Sequence, residues 1–79
     1  MESTDPKSPW YPFVWTDPER MSGEPCFRDS RVPITALFDY LEAGDTIADF
    51  LDDFPPVTRE QVEAVLRLSA AAAREANAA

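Results

Sequence analysis

Pro55-Pro56 constrains this chain more than any other feature, because it stands between two segments that each open at a hydroxyl residue. Proline lacks an amide hydrogen and its ring collides with the preceding helical turn, so no helix runs through the pair. Before it, Ile47, Phe50, Leu51 and Phe54 recur at i, i+3, i+4 and i+7, the period of one helical face. After it, Val62, Val65 and Leu66 repeat that spacing, with Leu68 on a neighbouring face. Thr46 has Asp49 three residues on and Thr58 has Gln61, so each segment opens with a capping-box pattern. In such a box the hydroxyl and the third side chain satisfy backbone donors that a helix start leaves free. From Gly44 to Leu68 the pattern is therefore helix, tight connection, helix, the outline of a helix-turn-helix DNA reader.

The flanking sequence extends this outline in both directions. Thr35 is the expected N-cap of an earlier helix over residues 36–43, with Leu37, Tyr40 and Leu41 on one face and Gly44 as its stop. After Leu68 an alanine-rich run continues to Ala76, and alanine is the strongest helix former. The last helix should thus reach about twenty residues, fraying after Arg74 in an isolated chain. Intact, its face of Ala64, Leu68 and Ala71 suits close approach of a partner helix. The opposite end reads differently. Residues 1–9 are polar, carry two prolines and are expected to be a disordered leader. Trp10, Tyr11, Phe13, Val14 and Trp15 have strand propensity, but Pro12 confines them to an edge strand or extended arm.

Such an arm either covers the domain's own core or lies across another subunit. A platform for stacking bases is the alternative, opposed by the acids nearby. Thr16-Asp17-Pro18 reads as a turn, and Pro25-Cys26-Phe27 as a second extended piece. Arg28-Asp29-Ser30-Arg31 reads as a tight reversal, since aspartate is one of the few non-glycine residues that tolerates positive φ. Val32-Pro33-Ile34 is extended again. The expected architecture is mainly α: one small domain over residues 10–79, with an extended or β segment at 10–34 and three helices within 35–76.

A chain of 79 residues buries only about 60% of the surface it exposes when unfolded. Cys26 is the sole cysteine and there is no histidine, so neither an internal disulfide nor an ordinary zinc site is expected. Homo-oligomerisation, most simply as a dimer, is then the expected source of extra stability. A lone thiol fits a reducing, cytoplasmic setting. No apolar run reaches the roughly 18 residues of a membrane span, and the N-terminus lacks the basic start and apolar core of a signal peptide.

Charge is distributed unevenly. Fifteen acids face seven bases for a net −8. Residues 1–31 hold six acids and four bases, residues 32–58 six acids and no base, and residues 59–79 three of each. Nucleic-acid affinity comes largely from cations that displace phosphate counterions, so the middle third disfavours DNA. An acidic surface either aids solubility or offers a face to a basic protein partner.

Catalysis is not expected. Cys26, Ser22, Ser30 and Ser69 have no histidine base, no glycine-rich loop is present to cradle phosphate, and no cofactor is implied. Asp49, Asp52 and Asp53 read as exposed carboxylates on the polar side of the second helix. They join Trp10, Phe13 and Trp15 as candidate partner-binding residues. If DNA is read, the candidates are Arg28 and Arg31 beside the reversal, and Arg59 and Gln61 at the start of the third helix, where guanine and adenine edges are in reach. Glu60 and Glu63 oppose phosphate there, and an Arg59–Glu63 pair on a solvated helical face is the simpler account.

The run Ser22-Gly23-Glu24-Pro25-Cys26-Phe27-Arg28-Asp29-Ser30-Arg31-Val32-Pro33 resembles the pattern Gly-Lys-Pro-x-Ile-Arg-Gly-Thr-Arg-Ile-Pro-Val. Leu41-Glu42-Ala43-Gly44-Asp45, then Phe54-Pro55 and Val57-Thr58, continue it. This is similar to the small bacterial family called domain of unknown function 433, often described as VapB-like antitoxins, and the likeness covers about residues 13–69. The resemblance implies a homeodomain-like, helix-turn-helix core behind short strands. It further implies an antitoxin that binds a PIN-like ribonuclease toxin and represses its own operon as a dimer. Gly23, Pro25 and Pro33, with Gly44 and Pro55, correspond to fold-defining positions; Arg28 and Arg31 also match. Glu24, Asp29 and Ser30 depart from the pattern's Lys, Gly and Thr, and the loss of a base weakens the case for DNA.

Overall fold

The structure, a computed structural model, describes residues 5–19 and 22–76. Two short strands, β1 (Val14–Trp15) and β2 (Cys26–Phe27), precede three helices, α1 (Ile34–Glu42), α2 (Ile47–Asp53) and α3 (Arg59–Ala76). The strands pair antiparallel, with Val14 opposite Phe27 and Trp15 opposite Cys26. The expected mainly α architecture with an N-terminal hairpin is what forms.

The aromatic stretch is less extended than expected. The amides of Phe13 and Val14 both donate to the Trp10 carbonyl, at 2.9 Å each. Residues 10–13 are thus a turn, and strand begins only at Val14. Pro12 lies inside this turn, where its missing amide leaves no ladder bond unmade. Upstream, the Ser8 amide donates to the Asp5 carbonyl at 2.8 Å. Residues 1–4 of the expected leader lie outside the described residues.

The reversal after β2 forms around Asp29, which takes φ 63°. The chain then returns beside β2. The Phe27 amide donates to the Val32 carbonyl at 2.9 Å, and Cys26 and Pro33 form a single antiparallel bridge. This return settles where α1 begins. Thr35 is not its cap. The N-cap is Pro33, at φ −63° and ψ 143°, with no side-chain bond. Instead the Ile34 amide donates to the Pro25 carbonyl at 3.0 Å. A strand carbonyl thereby satisfies one of the donors that a helix start leaves open, and Thr35 falls within the first turn.

Both predicted capping boxes are present. The Asp49 amide donates to Thr46 Oγ1 at 3.1 Å and the Thr46 amide to Asp49 Oδ2 at 3.0 Å. The Gln61 amide donates to Thr58 Oγ1 at 3.2 Å and the Thr58 amide to Gln61 Oε1 at 2.9 Å. Gly44 ends α1 in a Schellman arrangement: its amide donates to Leu41 and that of Asp45 to Tyr40, at 3.1 and 2.9 Å. The motif needs a left-handed residue, and Gly44 supplies φ 92°. After α2 the Val57 amide donates to the Phe54 carbonyl at 3.0 Å, folding the chain over Pro55-Pro56 into α3.

One buried cluster joins these parts: Val14 and Phe27 from the strands, Ile34 and Leu37 from α1, Phe50 from α2, Val57, and Val62 and Val65 from α3. Phe50 is its hub. Its ring lies 5.8 Å from Phe27, 5.3 Å from Tyr40 and 4.9 Å from Phe54. Fully burying a side chain of this size contributes about 1.5–3 kcal/mol. Trp10 and Phe13 pack against the same cluster as half-buried side chains, so the aromatic segment covers its own chain's core. Leu66 is the last α3 residue to reach the cluster, and the helix continues beyond it to Ala76.

Candidate binding surfaces

Half of the residues suited by type to read DNA are engaged inside the fold. The Arg28 guanidinium donates from Nε to the Tyr11 carbonyl at 2.7 Å and from a terminal nitrogen to the Val14 carbonyl at 3.1 Å. It also stacks on the Tyr11 ring, 4.4 Å from its centroid. Its own amide donates to the Phe13 carbonyl at 2.8 Å. Arg28 therefore fastens the N-terminal segment to the hairpin. Gln61, besides closing its capping box, donates from Nε2 to the Arg28 carbonyl at 3.0 Å. Arg31 and Arg59 are exposed. Arg59 lies 3.9 Å from Glu63, one helical turn on, the pair expected from the sequence.

The reversal after β2 is closed by a residue the sequence did not single out for this role. Ser30 is 8% exposed. Its hydroxyl donates to the Phe27 carbonyl at 2.8 Å and accepts from the Val32 amide at 3.1 Å. Its carbonyl accepts from the Trp15 indole at 2.7 Å. Trp15 is thereby an internal clasp, and its half-buried ring is a smaller external surface than an arm would present. Gly23 takes φ 76° beside Ser22 at φ 52°, a pair of left-handed residues that turns the chain toward Pro25.

The acids divide by role. Asp49 belongs to the α2 cap, and the two hydrogen bonds with Thr46 hold its carboxyl below the usual carboxylate range. Asp53 accepts from the Tyr40 hydroxyl at 2.7 Å. That bond, with desolvation and the Asp53 and Asp45 charges, raises the Tyr40 phenol. Asp39, Glu42, Asp45, Asp49, Asp52 and Asp53 are all exposed. Neither α1 nor α2 carries a base in its last turn. A helix C-terminus concentrates partial negative charge that Lys or Arg ordinarily offsets, so the C-terminal ends of α1 and α2 are more negative than their carboxylates alone make them.

Sequence reasoning did not assign Phe38. It is 37% exposed and stands out as an exposed large apolar side chain among the described residues. Its place beside the Leu37, Tyr40 and Leu41 stripe was the available signal. Cys26 is buried, and desolvation first, then Glu24, raises its thiol. Among the described residues no group of three or more His, Cys, Asp or Glu is arranged to hold a metal, and no helix is long and apolar enough to cross a membrane.

Fold and surfaces together define a small, mainly α protein with a clamped N-terminal hairpin and an exposed acidic run over residues 32–58 that holds no base. The chain belongs to the family described as "Protein of unknown function (DUF433)", whose model matches residues 14–68. No curated protein and no solved structure matches it.

Proposed function

We propose that this chain is a non-catalytic, VapB-like antitoxin that neutralises a PIN-like ribonuclease toxin by covering the toxin's basic RNA-binding surface. The carrying observation is the run from residue 32 to residue 58, whose six carboxylates are all exposed and which contains no base. Such a face attracts a cationic partner at long range and speeds encounter more than it sets affinity. A cytoplasmic setting fits the single, buried thiol. A homodimer is the proposed assembly, since a core of this size is small for a free-standing domain. A single monomer mass by light scattering at high micromolar concentration excludes it.

Co-expression with the product of the adjacent reading frame tests the main reading. The neighbour should be toxic alone, harmless with this protein, and co-purify with it. A neighbour that neither binds nor is toxic refutes the proposal.

A dimeric, homeodomain-like helix-turn-helix regulator is the second reading. It is favoured by Arg59, whose side chain is 55% exposed on the first turn of α3. With Arg28 and Gln61 committed internally, base contact would rest on Arg59 and Arg31. A gel shift on the protein's own promoter at two salt concentrations separates the readings. Binding that falls steeply with salt and is lost in Arg59→Ala supports the regulator.

A further inference from the structure

We infer that the flank of α1 bearing Phe38, Leu41 and Glu42 is a docking surface for a basic amphipathic helix of a protein partner. The inference rests on reading the chain as a binder of a basic protein. Tyr40 marks the side of α1 that α2 occupies, through its edge contacts with Phe50 and Phe54 and its bond to Asp53. Two residues of helix are a rotation of about 200°, so Phe38 lies on the flank away from α2. It takes no part in the ring contacts that join Phe27, Tyr40, Phe50 and Phe54. Ile34 and Leu41, a turn to either side of it, continue the apolar surface inward, Leu41 as a half-buried side chain.

Charge selects the occupant. Glu42 follows Phe38 by one turn, and Asp39 is adjacent; both are exposed. Thr35 donates to Glu24 Oε1 at 3.5 Å, which brings a third carboxylate to the first turn of α1. No base within residues 32–58 offsets them. A second copy would bring the same carboxylates and a net charge of −8, setting like charges together as the patch is desolvated. A partner helix with one apolar anchor and Lys or Arg at i±3 and i±4 covers Phe38 and pairs the rim. Its cations can also lie over the Phe38 ring. The exposed flank is about 13 Å long, matching two to three turns of such a helix.

The test has two arms. In the first, the full isotope-labelled chain is titrated with a synthetic Leu/Lys/Arg amphipathic helix and, separately, with its Leu/Glu counterpart. Only the cationic peptide should bind. The amide shifts should centre on Thr35, Phe38, Asp39, Leu41 and Glu42. Phe38→Ser should weaken binding by about tenfold, while Glu75→Gln near the end of α3, exposed and outside the acidic run, changes it less than about twofold. Thermal melts check that both variants remain folded. Shifts centred on residues 45–53, equal binding by Phe38→Ser, or no binding of the cationic peptide overturns the inference. In the second arm the neighbour-encoded partner replaces the peptide. If it binds wild type and Phe38→Ser alike, the docking surface is wrong and the antitoxin reading survives. If it does not bind while the peptide maps to this flank, the antitoxin reading fails and the docking surface stands.

Discussion

Replacing Arg28 with alanine should destabilise the protein severely. The guanidinium makes two charge-assisted hydrogen bonds to carbonyls, at 2.7 and 3.1 Å, and stacks 4.4 Å from the Tyr11 centroid. Hydrogen bonds to a charged group contribute about 1.5–3 kcal/mol when well enclosed. Arg28 is half-buried, so the lower end applies to each. The stacking adds about 0.5–1 kcal/mol. The expected loss is about 3.5–4 kcal/mol, against about 4–12 kcal/mol for an entire domain of this length.

Urea unfolding monitored by the fluorescence of Trp10 and Trp15 measures this loss, and Tm in a parallel thermal melt should fall by about 15–30 °C. Arg28→Lys should recover about half, because one ammonium cannot span both carbonyls and stack as a plane. Moderate salt should change the difference little, because the acceptors are neutral. An alanine variant within about 0.5 kcal/mol of wild type would falsify the clamp and return Arg28 to the residues free to bind a ligand.

Other substitutions probe the remaining joints. Ser30→Ala removes one donated and one accepted hydrogen bond from a buried turn and should cost about 1–3 kcal/mol by chemical denaturation; an unchanged midpoint contradicts the closure described for that turn. Gly44→Ala meets no atom within 4 Å but must adopt φ 92°, so a loss of about 1–2 kcal/mol is expected, and neutrality would mean that α1 ends differently in solution. Asp49 has a lowered carboxyl in the folded state. Its contribution is present above the unfolded aspartate value of about 3.9 and is lost as pH falls through the lower folded one. Carbon-detected titration should find its midpoint below the ordinary range, and Asp49→Ala should flatten the acid limb of the stability profile. The Cys26 thiol should resist a water-soluble disulfide reagent until urea unfolds the chain, and rapid native labelling would contradict its burial.

The α-helical half of this fold was legible because its signals are local. Thr46 with Asp49, Thr58 with Gln61, Gly44, and Pro55-Pro56 each act within a few residues, and helix boundaries follow from them. The start of α1 was misplaced at Thr35 because its cap comes from Pro25, far away in sequence, whose carbonyl takes the Ile34 amide. Propensity alone puts the aromatic stretch in an edge strand or extended arm, because Trp, Tyr and Phe are strand formers. It does not register that Arg28 sits opposite and holds the chain in a turn. The same blindness applied to the binding candidates. Arg28 and Gln61 have the chemistry to read bases, and sequence does not disclose that carbonyls within the chain have claimed them. Phe38 went unassigned because a helical stripe identifies the core side of a helix more clearly than the margin where coverage stops.

Gln61 has a consequence for how force and ligand occupancy travel through the molecule. Its two amide atoms face different parts of the chain: Oε1 accepts from the Thr58 amide at the α3 cap, and Nε2 donates to the Arg28 carbonyl in the reversal after β2. A single side chain thus couples the tip that carries Arg31 to the helix start that carries Arg59. A ligand that displaces either one must strain or break the Gln61 bonds before the other stays behind. The Arg31 turn and the Arg59 end of α3 are therefore tied through the Gln61 bonds, and a partner gripping Arg31 should alter the orientation that Arg59 offers. Gln61→Met, which keeps the length and removes both amide heteroatoms, should loosen that tie, visible as divergent backbone relaxation at residues 31 and 59.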